Sequence, residues 1–148
     1  MNAIRSFFTI IGRIGVGVIL IAHGWQKLMV WGIPTTAQNF GKMGVPLPHV
    51  SAWYATIVEL AGGILLILGI ALPLVGIAVA IDMAGAILFV HLQHGLFAPN
   101  GFELPLAIGA AVLAMSFNAG TWSIDHALFG RRKNRRADTQ HVQPGDSY

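Results

Sequence analysis

Residues 7–29 are almost wholly apolar, yet Arg13 sits in the middle of the run and His23, Gln26 and Lys27 near its end. A run of this length suits a bilayer crossing, where an unpartnered charge costs about 3 kcal/mol or more. Such groups persist inside hydrocarbon only where they face a protein interior, another charge or water. The chain is therefore expected to fold as an all-α integral membrane bundle with a polar interior, and the interior is where its chemistry should lie.

Composition agrees with that expectation. Hydrophobic residues make up 55% of the chain, charged residues only 10%, and 18 of the 148 residues are glycine, a profile suited to helices packed in lipid. There is no cysteine, which excludes a disulfide framework, a thiolate metal or iron–sulfur site and a thiol redox cycle run by this chain alone. Any redox role must use a cofactor or a partner. The net charge of +3 is local in origin, because Arg131, Arg132, Lys133, Arg135 and Arg136 cluster in the tail.

A bilayer core of roughly 30 Å takes about 20 helical residues. Four segments meet or approach that length, near 5–30, 51–72, 74–93 and 102–118. Pro73 supplies the break between the second and third, and Pro105 falls in the first turn of the fourth, where its missing N–H costs nothing. The first segment is too long for a secretory signal and lacks a small-residue cleavage site after it, so it is expected to be retained. The expected layout is a four-helix membrane domain over 1–128 and a basic, disordered tail over 129–148.

Cytoplasmic flanks are enriched in Lys and Arg. The tail has five such residues, the connection over 31–50 has only Lys42, and that over 94–101 has none. Both termini are thus expected in the cytoplasm, with Trp31 and Trp53 at the outer interface and Trp122 at the inner one. Residues 123–129 are expected along the inner surface, and the tail on anionic headgroups. Small residues offer packing faces: Gly76, Ala80 and Ala84; Ala107 with Ala111, or Ala110 with Ala114; and Gly12, Gly15, Gly17 and Gly24 on the first helix.

Polar residues fall at two depths. Counted from the helix starts, Arg13 and Asp82 both lie about 12 Å in, which predicts a buried ion pair that fixes helix register. A larger set lies in the outer half: His23 and Lys27 one turn apart on the first helix, Glu59 on the second, His91 and His94 at the end of the third, and Glu103 opening the fourth. Carboxylates there can compensate Lys27 and protonated histidines, so the set reads as a pocket; His91 and His94 also read as interfacial residues. Asp82 and His91 are half a turn out of phase on a straight α-helix, so the two layers are expected to be separate.

Several motifs in this order carry a family resemblance: His23-Gly24-Trp25-Gln26-Lys27-Leu28, Phe40-Gly41-Lys42-Met43-Gly44-Val45-Pro46, Val58-Glu59-Leu60-Ala61-Gly62-Gly63, Val90-His91-Leu92, Gly101-Phe102-Glu103-Leu104, and a Gly-x-Trp-Ser-x-Asp pattern at 120–125. Together they resemble the DoxX (DoxD-like) family of small four-helix bacterial membrane proteins, over roughly residues 4–128. The family's characteristic positions are matched by Arg13, His23, Lys27, Glu59, His91 and Glu103. The resemblance implies a multi-pass protein of the bacterial inner membrane. It also implies association with terminal oxidase, thiosulfate-to-quinone or oxidative-stress systems.

Three readings of function follow. In a quinone-linked subunit, His23 or His91 would hydrogen-bond a quinone oxygen and Glu59 or Glu103 would take the proton of quinol oxidation. A non-catalytic anchor would instead recruit a soluble oxidoreductase through the 32–49 connection or the tail. A small proton-coupled transporter would need the two polar layers to communicate. Haem held by His23 and His91 is disfavoured, since both lie near helix ends beside charged neighbours; no metal site is expected. Nucleic-acid binding is excluded by the absence of a basic surface beyond the tail, while a homo-oligomer remains open.

Overall fold

A computed structural model of the chain describes residues 2–97 and 99–118. The basic tail with Arg131, Arg132, Lys133, Arg135 and Arg136, the 123–129 segment and Trp122 lie outside the described residues. All regular structure among the described residues is helical. Helix α1 (Asn2–Trp25) continues through a π-helical turn, Gln26–Trp31; α2 (Ile33–Lys42) and α3 (Pro48–Leu68) follow. Helix α4 (Leu72–Gly85) continues through a second π-helical turn, Ala86–His91, and a 3-10 turn, Leu92–His94; α5 (Glu103–Phe117) is last.

Three of these rods are long and apolar enough to cross a membrane: Ala3–Trp31, Pro48–Leu68 and Leu72–His94. Their outward faces carry large apolar side chains, with Val18 and Ile57 each 55% exposed and Leu74 70%. In water such faces would be costly; against lipid they need no cover. The fourth expected span is shorter, since α5 has 15 residues and is about 22 Å long. Its start is held to the turn before it, where the Phe102 N–H donates to Gly95 O.

The break between α3 and α4 is made by more than Pro73. Gly69 takes a left-handed conformation (φ 73°) and its N–H and that of Ile70 return to Leu65 O, closing the helix as a glycine C-terminal cap does. Pro73 then falls in the first turn of α4. The core runs down the bundle axis through Leu20, Leu66, Leu72, Val79 and Val112.

Glycines set the closest approaches. A Cβ on Gly17 would lie 2.8 Å from Gly63 O and 2.5 Å from Ile67 Cγ1, so α1 and α3 cross backbone to backbone there. Gly24 rests on Leu60 and Glu59 one level further out. Gly76 accommodates Ser116 of α5. The alanine faces expected on α5 do not mediate packing: Ala107, Ala110 and Ala114 are exposed, and the buried face is Pro105, Ile108, Gly109, Val112 and Ser116. On that face Gly109 lets α5 close on Met83 of α4, where a Cβ would lie 3.2 Å from Met83 Cβ. Gly15 likewise meets nothing within 4 Å.

The connection over 31–50 is not an open loop: it contains α2. Ile33, Ala37 and Phe40 recur at helical spacing and pack on Ala52 and Leu28, and Pro34 sits in the first turn. Helix α2 thus lies against the C-terminal end of the α1 rod and the N-terminal end of α3.

Candidate functional site: a charged cavity at one end of the bundle

Four helices, α2 and the turn before α5 enclose a cavity of about 1060 Å³. His23, Lys27, Glu59, His91 and Glu103 all line it; His94 is exposed and does not. Apolar walls come from Phe40, Met43, Phe89, Phe97 and Leu104.

The strongest interaction inside is between Lys27 and Glu59. Lys27 Nζ donates to Glu59 Oε1 at 2.8 Å and Oε2 at 2.6 Å, and the two side chains are only 13% and 6% exposed. Gly24 positions the pair: with no Cβ it lets α1 settle on Glu59 and Leu60, and Lys27 follows one turn later on the same face. Glu59 is thereby fully engaged.

Asp82 also lines this cavity, which corrects the expected pairing with Arg13. Helix register explains the difference. Gly62 packs on Val79, so Asp82 one turn beyond is level with Glu59, and Glu59 is level with Gly24. Arg13 precedes Gly24 by about three turns, roughly 16 Å, and is buried toward the N-terminal end of its rod, outside the cavity lining. Equal depth from the helix starts does not make the two residues level, because the rods differ in length, 29 residues for the first and 23 for the one bearing Asp82. Asp82 Oδ2 is buried and accepts no hydrogen bond from the described residues.

The expected separation of Asp82 and His91 into two layers also fails, for a local reason. The Ala86–His91 turn between them is π-helical. Such a turn absorbs one extra residue, and each residue is worth about 100° of rotation, so His91 swings back toward the face that bears Asp82. The matching π turn at Gln26–Trp31 lies at the same end of α1. Both interruptions of regular helix border the cavity.

His91 is oriented by the turn that follows it. Its Nδ1 lies 2.6 Å from Asn100 O, and a carbonyl oxygen only accepts, so Nδ1 carries the proton and Nε2 keeps its lone pair in the neutral ring. Asn100 holds a left-handed conformation (φ 69°), which asparagine tolerates. Gly101 packs on the Leu96 carbonyl with no room for a Cβ, and the Glu103 N–H donates to Leu96 O.

The sequence pattern gives no place in the site to Thr36, Asn39, Ser51 and Tyr54, which line the cavity together with Gln26. The helical spacing of apolar residues over 33–42 was the available signal for Thr36 and Asn39. Tyr54 had none beyond its place within a span; its hydroxyl donates to Ala78 O at 2.9 Å, tying α3 to α4. Among the described residues no three His, Asp or Glu side chains converge as a metal-holding group.

A bundle of apolar, membrane-length helices around a charged cavity defines a multi-pass membrane protein with a buried polar site. The chain belongs to the DoxX family, whose model matches residues 8–92. It is 31% identical over 134 residues to CatD of Bacillus subtilis (strain 168), which carries a provisional oxidoreductase name; the match covers 90% of this chain and 96% of that protein. It is 28% identical over 132 residues to an uncharacterized membrane protein of Mycobacterium tuberculosis, Rv3486, covering 80% of each. It is 35% identical over 68 residues to the inner membrane protein YphA of Escherichia coli (strain K12), covering 46% of this chain and 47% of that protein. No solved structure matches the chain.

Proposed function

We propose that this protein is an inner-membrane subunit of a quinone-linked redox system, with the outer cavity as the headgroup site. The observation that carries the reading is the cavity itself: about 1060 Å³, apolar and aromatic on its walls, with imidazoles and carboxylates on the remainder. Ligand sites of this kind bury an apolar body and fix its orientation with a few polar groups. A quinone headgroup with its isoprenoid tail has that division. The provisional oxidoreductase name of the CatD relative supports a redox association, and a chain without cysteine must borrow its electron carrier.

The chain crosses the membrane four times in this reading, with both termini in the cytoplasm. Arg5 at the start of α1 donates to Asn118 Oδ1 just beyond α5 at 3.2 Å, which supports an even number of crossings. His91 and His23 contact the headgroup, and the tail cations Arg131, Arg132, Lys133, Arg135 and Arg136 rest on anionic lipid.

The test is purification from native membranes in mild detergent, with extraction and quantification of quinone and identification of co-purifying proteins. Bound quinone near one per chain, or a stoichiometric oxidoreductase, is the expected result. Protein free of both would overturn the reading.

A further inference from the structure

Between α3 and α4 the lining of the cavity is also part of the bundle's outward surface. Ile81 of α4 and Phe89 of the π turn that continues it line the cavity, yet they are 59% and 39% exposed. From the other side Tyr54 of α3 and Met43 at the end of α2 line it and are likewise exposed. Gly85, one turn after Ile81, lines the cavity too, and a Cβ on it would meet nothing within 4 Å. Elsewhere the same two helices close on each other: Tyr54 Oη donates to Ala78 O at 2.9 Å, and a Cβ on Gly62 would lie 3.3 Å from Val79 Cγ2. Past those contacts, along Ile81, Gly85 and Phe89, the seam stands open as a slot.

On its outer side the slot adjoins a groove of about 380 Å³ lined by Met43, Leu88, Phe89, Leu92 and Gln93. Met43 and Phe89 belong to both spaces, which therefore meet at these two side chains. The hydroxyls of the cavity lining do not make this route polar. Thr36 Oγ1 donates to Gly32 O at 3.0 Å and Ser51 Oγ to Pro46 O at 2.6 Å, and Tyr54 is spent on Ala78. Depth decides what meets the slot: Ile81 and Gly85 lie near the middle of the membrane-length rod Leu72–His94, so it opens on lipid hydrocarbon and not on water.

We propose that this slot is a lateral entrance through which a ligand dissolved in the bilayer inserts its headgroup into the cavity, and that the ligand's apolar tail stays between Met43, Ile81 and Phe89. This rests on the quinone-site reading above and names where the isoprenoid tail of that ligand lies. Leaving lipid for the slot gains a tail little free energy, because both surroundings are apolar. The slot therefore acts by access, and a plug in it acts by exclusion.

The test compares duroquinone, a bare methylated ring, with decylplastoquinone, a similar ring that carries a decyl tail. Each is titrated by calorimetry into the full chain in lipid nanodiscs, with empty nanodiscs subtracted. Gly85→Phe fills the slot at a position where a side chain has room, so the variant is expected to fold. It should weaken decylplastoquinone binding about tenfold or more and duroquinone binding about threefold at most. An equal effect on both, or an effect on neither, would overturn the slot while leaving the quinone site in place. Wild type that binds neither quinone would overturn both. A second measurement needs no variant: decylplastoquinone with a diazirine at the end of its tail, irradiated on the wild type, is expected to label Met43, Ile81, Phe89 or Leu92. Labelling confined to the outward faces of α1 and α5 would overturn the slot.

Discussion

Lys27 on the π turn of α1 and Glu59 on α3 form a buried ion pair in which one ammonium bridges both carboxylate oxygens, at 2.8 and 2.6 Å. The pair lines the cavity and joins the two helices whose backbones meet at Gly17 and Gly63.

Removing one member of such a pair strands the other. Glu59→Leu is expected to lose about 3–5 kcal/mol, since Lys27 is left buried without a counter-charge. Lys27→Met combined with Glu59→Leu should recover most of that loss. Thermal unfolding in detergent checks it; a double variant no better than Glu59→Leu alone would show that the pair is not the cause.

The α1–α3 crossing gives a second prediction. A Cβ on Gly63 would lie 2.7 Å from Gly17 O and 3.1 Å from the Ile21 nitrogen, both backbone atoms that cannot turn aside. Gly63→Ala should therefore destabilise by about 1–3 kcal/mol. Gly15→Ala, which meets nothing within 4 Å, is expected to stay within about 0.5 kcal/mol of the wild type. Equal melting temperatures for the two variants would contradict this crossing.

The π turn at Ala86–His91 can be converted. Deleting Leu88, which is exposed, removes the extra residue and should restore regular helix while keeping His91 on the face that bears Asp82. Quinone affinity is expected to stay within about twofold of the wild type, whereas His91→Ala should lower it about tenfold. A loss in the deletion variant as large as that in His91→Ala would show that the turn does not absorb the extra residue.

Orientation is open to labelling, because the chain has no cysteine of its own. His49→Cys, at an exposed position in the first turn of α3, should react with a membrane-impermeant maleimide in intact cells. Gln140→Cys in the tail should react only after lysis. The opposite pattern would invert the proposed topology.

Sequence alone determined the properties that depend on local composition. Long apolar runs predicted the rods Ala3–Trp31, Pro48–Leu68 and Leu72–His94, because each hydrocarbon-length helix satisfies its own backbone and needs no distant partner to be recognised. Pro73 marked a boundary for the same reason. The motif set indicates the DoxX family without reference to the fold. Tertiary structure decided what depends on phase and register. Asp82 stands level with Glu59 rather than Arg13 because the helices differ in length and are locked by Gly17, Gly24 and Gly62 against their neighbours. His91 enters the cavity because a π turn rotates it there, and hydropathy carries no record of a turn's hydrogen-bond pattern. The donors spent on Gly32, Pro46, Ala78 and Asn100 became countable only once the chain was folded, since each bond joins a side chain to a carbonyl whose position the fold supplies.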